Sequence, residues 1–127
     1  MLPFAVQFKS GQPVYEQVIF AVHKALVTGQ LKAGDAFPSV RALSKELKIN
    51  PNTALKVVAH LKQEGLLVVQ PGRGTFIGEK QVTSAEDREA LLETSVEALV
   101  VEARKLHLTL EEVLSAVNSK WEEFRSH

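Results

Sequence analysis

Few residues in this chain are placed for catalysis. His23, His60, His107 and His127 do not stand at the spacing that brings histidines onto one metal ion, no serine or threonine has a legible base beside it, and cysteine is absent. An enzyme is therefore not expected, and neither a cofactor nor a metal is called for. The polar chemistry that does stand out is at the stretch "NPNT". Asn50 can accept a hydrogen bond from a free N–H at a helix start, and Pro51 has no N–H to leave unpaired. Asn52 and Thr53 then point an amide and a hydroxyl away from the first turn, where a solvated surface and a contact surface look alike.

Charge narrows the choice of partner. Residues 1–78 hold nine lysines and arginines against four acids, a net +5, while residues 79–127 hold six against eleven, a net −5. A basic part joined to an acidic part suggests that only the first meets a polyanion. With 127 residues, 45% of them apolar, the chain can bury one modest core and a small appendage. No basic start leads into the apolar core of a secretory signal, and no run approaches the roughly 20 apolar residues of a membrane span. A cytoplasmic protein with no membrane partner is the expectation, and the lack of cysteine agrees with a reducing compartment.

The elements that must carry "NPNT" follow from periodicity. "FAVQF" alternates and reads as a short strand. Val14, Val18, Ala21, Val22, Ala25 and Leu26 share one helical face from Val14 to Thr28, and Gly29 supplies the left-handed stop. "LKAGDAFP" reads as a loop, after which Ser39 caps a short helix with the stripe Val40, Leu43 and Leu47. The "NPNT" helix turns Ala54, Val57, Val58 and Leu61 toward the core and Asn52, Thr53, Lys56, His60 and Gln63 outward. His60 on that outer face is available for a contact. "LLVVQPGRGTFI" is a hairpin about a Pro-Gly-Arg-Gly turn. Helix, helix, tight turn, helix and hairpin make a winged helix-turn-helix, which sets its later helix into a DNA major groove.

Beyond Gly78 the composition becomes helical and rich in glutamate. Ser84 with Asp87 approximates a capping box, and Leu92, Val96, Leu99, Ala103 and Leu106 follow at spacings of 4, 3, 4 and 3. Thr109 with Glu112 starts a last helix bearing Leu110, Val113, Leu114, Val117, Trp121 and Phe124 on one face. Two helices of this size cannot bury both stripes against each other, so a second copy of the chain is expected to cover them. The predicted fold class is mainly α with a small β-hairpin wing: a winged helix-turn-helix domain over residues 1–78 and a two-helix dimerisation domain over residues 79–127.

"PVYEQV", "LKAGDAFPSVRALS" and "KINPNTALKVVAHLKQEGLLVVQPGRGTFI" resemble, in order and spacing, the winged helix-turn-helix of the GntR family of bacterial transcription regulators. "NPNT" with the short tail "LVVEARKLHLTLEEVLSAV" looks like the YtrA-type subfamily of dimeric repressors. The resemblance implies a homodimer that binds an inverted repeat in double-stranded DNA and is regulated by an effector that changes the spacing of its two heads. It also implies contacts from Arg41, from Asn52 and Thr53 to base edges, from Lys56 to phosphate or guanine, and from Arg73 at a wing tip formed by Gly72 and Gly74. Thr75 and the cap Ser39 are additional phosphate candidates. The dimer seam would use Leu92, Val96, Leu99, Ala103, Leu106, Val113, Val117 and Trp121. Ala54 and the pair Val57-Val58 depart from the subfamily pattern behind the recognition helix, and Lys62 replaces a usual acid. A winged-helix adaptor that binds protein rather than DNA is the competing class; the basic set Arg41, Lys56 and Arg73 argues against it.

Overall fold

The computed structural model describes residues 2–79 and 83–125. They form two compact units, one within residues 1–81 and one within residues 82–125. The first unit runs α1 (Val14–Val27), β1 (Ala36–Phe37), α2 (Val40–Leu47), α3 (Pro51–Gln63), β2 (Leu67–Gln70) and β3 (Gly74–Ile77). Local chemistry sets its helix boundaries. Ala42 N–H donates to Ser39 Oγ at 3.1 Å to start α2, and Asn52 N–H donates to Asn50 Oδ1 at 2.8 Å to start α3 with Pro51 in its first turn. Gly29, at φ 80°, follows the end of α1 in the left-handed conformation that leaves no Cβ clash.

The core lies where the apolar stripes converge. Val18, Val22, Leu43, Ala54, Val57 and Leu61 have no exposed surface, and Leu31, Phe37, Leu67 and Ile77 close over them. Each of these side chains other than Ala54 contributes roughly 1.5–3 kcal/mol by leaving water. The α3 stripe is the expected one. On α1 the buried face is turned slightly: Ile19 is covered, whereas Val14 at the helix start remains 39% exposed.

Two expectations about strands fail, for related reasons. "FAVQF" forms no strand; its alternation reflects Phe4 entering the core, where its ring stacks on Phe37 with centroids 5.8 Å apart. The backbone beyond it is tied to α1 by Gln17, whose Oε1 accepts from Lys9 N–H at 2.7 Å and whose Nε2 donates to the carbonyls of Lys9 and Gln12 at 3.0 Å. The expected loop "LKAGDAFP" supplies a strand instead. β1 pairs antiparallel with β3, Ala36 opposite Phe76 and Phe37 opposite Thr75, so the wing is a three-stranded sheet in the order β1-β3-β2. A strand of two residues is too short to display a period of two.

In the second unit, α4 (Ala85–Ala90) runs through a π-helical turn (Leu91–Ser95) into α5 (Val96–Lys105), and α6 (Leu110–Glu123) follows. Ser84 Oγ accepts from Asp87 N–H at 3.0 Å, while Thr109 and Glu112 close the full reciprocal capping box. The π turn breaks the expected continuous α-helical seam, because bonding from i to i+5 widens the turn and resets the face on which Leu92 lies relative to Val96. At the corner between α5 and α6, His107 adopts φ 61° and Leu108 N–H donates to Ala103 carbonyl at 2.9 Å. Ala103 is buried there within its own chain, and Val113 is half-buried. Leu92, Val96, Leu99, Leu106, Val117 and Trp121 remain exposed. No helix among the described residues is long and apolar enough to cross a membrane.

Candidate nucleic-acid interface

The turn between α2 and α3 fixes how α3 is presented. Lys48 N–H and Ile49 N–H both donate to the Ser44 carbonyl, and the Ser44 hydroxyl donates back to the Ile49 carbonyl at 2.7 Å. Lys48 sits at φ 55°, ψ 47°, a left-handed conformation that costs a side-chain-bearing residue roughly 1–2 kcal/mol. Lys48, Ile49 and Asn50 therefore reverse the chain without a glycine, and the last of them caps α3.

α3 is held from behind by its core stripe and from one flank by a polar network. The Tyr15 hydroxyl lies 3.1 Å from His60 Nδ1, with the two rings edge to face, and His60 Nε2 lies 3.1 Å from Glu64 Oε1. His23 Nε2 approaches the same oxygen at 3.1 Å. These contacts fit Tyr15 donating to Nδ1 while Nε2–H donates to the carboxylate, which occupies both ring nitrogens. His60 thus ties α3 to α1 while its side chain stays 38% exposed. Thr53, on the same flank, is half-buried.

The face left open is Asn52, Leu55, Lys56 and Ala59, spaced i, i+3, i+4 and i+7. Leu55 and Ala59 carry no polar group, so residue type alone does not mark them. Their exposure, set against the buried Ala54, Val57, Val58 and Leu61, is what identifies them. α3 carries no acidic residue, and its N-terminus adds the partial positive charge of unpaired N–H groups. Arg41, in the first turn of α2, and Lys56 are exposed and make no ion pair among the described residues, so both charges are available.

At the wing tip Gly72 and Gly74 adopt φ 77° and φ 125°, which glycine alone takes readily, and Arg73 N–H donates to Gln70 carbonyl at 2.9 Å. The Arg73 guanidinium lies 5.8 Å from the centre of the Phe76 ring, a cation–π contact that holds an exposed cation in a limited set of directions. Thr75 is half-buried in the central strand, between Phe37 and Val69. Ser39 spends its side-chain oxygen on the α2 cap. No group of three or more metal-ligating side chains stands together among the described residues, and His127 lies outside them. The chemistry this surface can perform is recognition: hydrogen bonds from Asn52, an apolar contact from Leu55, and positive charge from Arg41, Lys56 and Arg73.

The family model described as Bacterial regulatory proteins, gntR family, matches residues 14–77. The HTH-type transcriptional regulator YhcF of Bacillus subtilis is 34% identical, over 89% of this chain and 93% of its own. The HTH-type transcriptional repressor YtrA of the same organism is 33% identical, over 83% of this chain and 82% of its own. Among solved structures, a GntR family transcriptional regulator from Listeria monocytogenes superposes with a TM-score of 0.66 at 27% identity, covering 88% of this chain and 98% of that one.

Proposed function

This chain belongs to the GntR family of bacterial regulatory proteins, and from that premise we propose that it is a transcriptional repressor acting as a homodimer on an inverted repeat in double-stranded DNA. The observation that carries the DNA-binding part is the open, acid-free face of α3, with Asn52 and Lys56 exposed and the cations Arg41 and Arg73 on adjoining elements of the same unit. Asn52 presents an amide that can pair with adenine, Thr53 a hydroxyl at the same helix start, and the three cations neutralise phosphate. Ser39 and Thr75 are secondary phosphate contacts, and Gly72 and Gly74 let the wing backbone approach the duplex. The repressor assignment is supported by the similarity to YtrA, a repressor by name.

Residues 1–78 are assigned to DNA and residues 79–127 to pairing of two chains. The support for pairing is the exposure of Leu92, Val96, Leu99, Leu106, Val117 and Trp121, along with Leu110 and Leu114, on a unit too small to stand such surface in water alone. Two copies related by a twofold axis would place their α3 helices in successive major grooves, with half-site centres about 34–36 Å apart or a multiple of that. A regulator acting on the DNA of a bacterial cell works in the cytoplasm. An effector that binds the two head spacings with different affinity would regulate occupancy.

Selection of bound duplexes from a random pool tests the proposal directly. Enrichment of a palindrome is the expected result. A folded protein that retains no duplex at low ionic strength would refute it.

A further inference from the structure

We propose that Leu55 is a specificity-determining residue that reads the C5-methyl group of a thymine in the major groove. The inference deepens the DNA-binding reading above and rests on it. Leu55 is 56% exposed, whereas Ala54, Val57, Val58 and Leu61 of the same helix are buried. At about 100° per residue it stands roughly 60° to one side of Asn52, while Lys56 stands about 40° to the other. It is therefore closer to the centre of the open face than Thr53, which is half-buried.

The chemistry selects one feature of DNA. A leucine side chain neither donates nor accepts a hydrogen bond, so it cannot distinguish the N7, O6, N6 or N4 groups of the groove edge. The thymine methyl is the one apolar group presented there, and a branched aliphatic end packs against it. Ala59, one turn further along the exposed face, has no long side chain to stand between Leu55 and the groove. Asn52, one turn earlier, can take an adenine at a neighbouring position, and Lys56 can hold the adjacent phosphate. An A·T-rich core in each half-site follows, with one thymine read by its methyl alone.

The test uses the full chain and the operator recovered by selection. Each thymine of one half-site is replaced in turn by deoxyuridine, which removes the methyl and leaves every hydrogen-bonding group in place. At one position the wild-type protein should lose about fourfold in affinity, the value of one buried methyl group. L55A should bind the thymine operator more weakly than wild type and show the same affinity for the uracil form. L55Q, whose amide suits adenine, should bind the operator carrying adenine at that position at least as well as the one carrying thymine. Thermal melting of both variants close to wild type would show that the exposed site, and not the fold, was changed. Wild-type binding indifferent to every methyl deletion would overturn the role of Leu55 while leaving DNA recognition standing, as would L55A retaining the wild-type preference. A protein that binds no duplex at all would overturn the repressor reading and this inference with it.

Discussion

Ser44 and Ile49 are hydrogen-bonded to each other in both directions, the Ile49 N–H to the Ser44 carbonyl at 3.1 Å and the Ser44 hydroxyl to the Ile49 carbonyl at 2.7 Å. The pair closes the turn that aims α3, and the Ser44 side chain is half-buried. S44A leaves the Ile49 carbonyl without that donor and should destabilise the first unit by about 1 kcal/mol. Denaturant unfolding of the full chain measures the loss, and a midpoint equal to wild type would show that water replaces the hydroxyl without penalty.

Lys48 tests the same turn from its backbone. K48G removes the Cβ that a left-handed conformation crowds, but it also loosens the unfolded chain; the balance expected is within about 1 kcal/mol of wild type, whereas K48V, β-branched, should lose roughly 1–2 kcal/mol. If both variants melted together, the φ of 55° would carry no strain worth the name.

The cations should separate from the fold. R73A and K56A are each expected to weaken operator binding and to reduce the slope of log affinity against log salt by about 1, with the oligomeric state unchanged. F76L removes the ring beneath the Arg73 guanidinium and should weaken binding by less than R73A does, since the charge stays and only its direction is freed. Titrations at three salt concentrations give both quantities; an unaltered slope in R73A would place the wing tip away from phosphate.

His60 provides the converse. Because its ring nitrogens face Tyr15 and Glu64, H60A should lower stability by about 1 kcal/mol through loss of those contacts, while leaving operator affinity within about twofold of wild type. A large, selective loss of DNA binding would return His60 to the recognition face.

For the tail, Leu99 is 45% exposed on α5. L99E should convert a dimer into monomers at micromolar concentration, because a carboxylate cannot be covered by an apolar partner without a compensating charge. Sedimentation equilibrium decides this, and an unchanged dimer mass would move the interface to another face.

The sequence carried the helices of the first unit because capping residues and apolar spacing agree there: Ser39, Asn50 and Pro51 start what Leu43, Ala54, Val57, Val58 and Leu61 bury. It misjudged places where a tertiary partner decides. Phe4 and Phe37 stack, so a strand-like alternation became a core plug, and β1 exists only because β3 offers it an edge. The candidate interface was half visible. Asn52, Lys56 and Arg73 declare themselves by type, but His60 is also bonded to Tyr15, forty-five residues away, and no local pattern contains that contact. Leu55 is the complementary case, an apolar residue whose meaning lies in being uncovered. The π turn at Leu91–Ser95 left no trace in the spacing of the apolar residues around it.

Trp121 is the chain's single tryptophan, and its indole on α6 is 73% exposed. Indole fluorescence from the native protein therefore comes entirely from the acidic tail, and none of it from the unit that carries α3 and the wing. A blue shift on raising protein concentration would register the covering of that ring by a second chain without any label. A change on adding operator, at constant assembly, would report that occupying the winged unit alters the surroundings of a residue on α6.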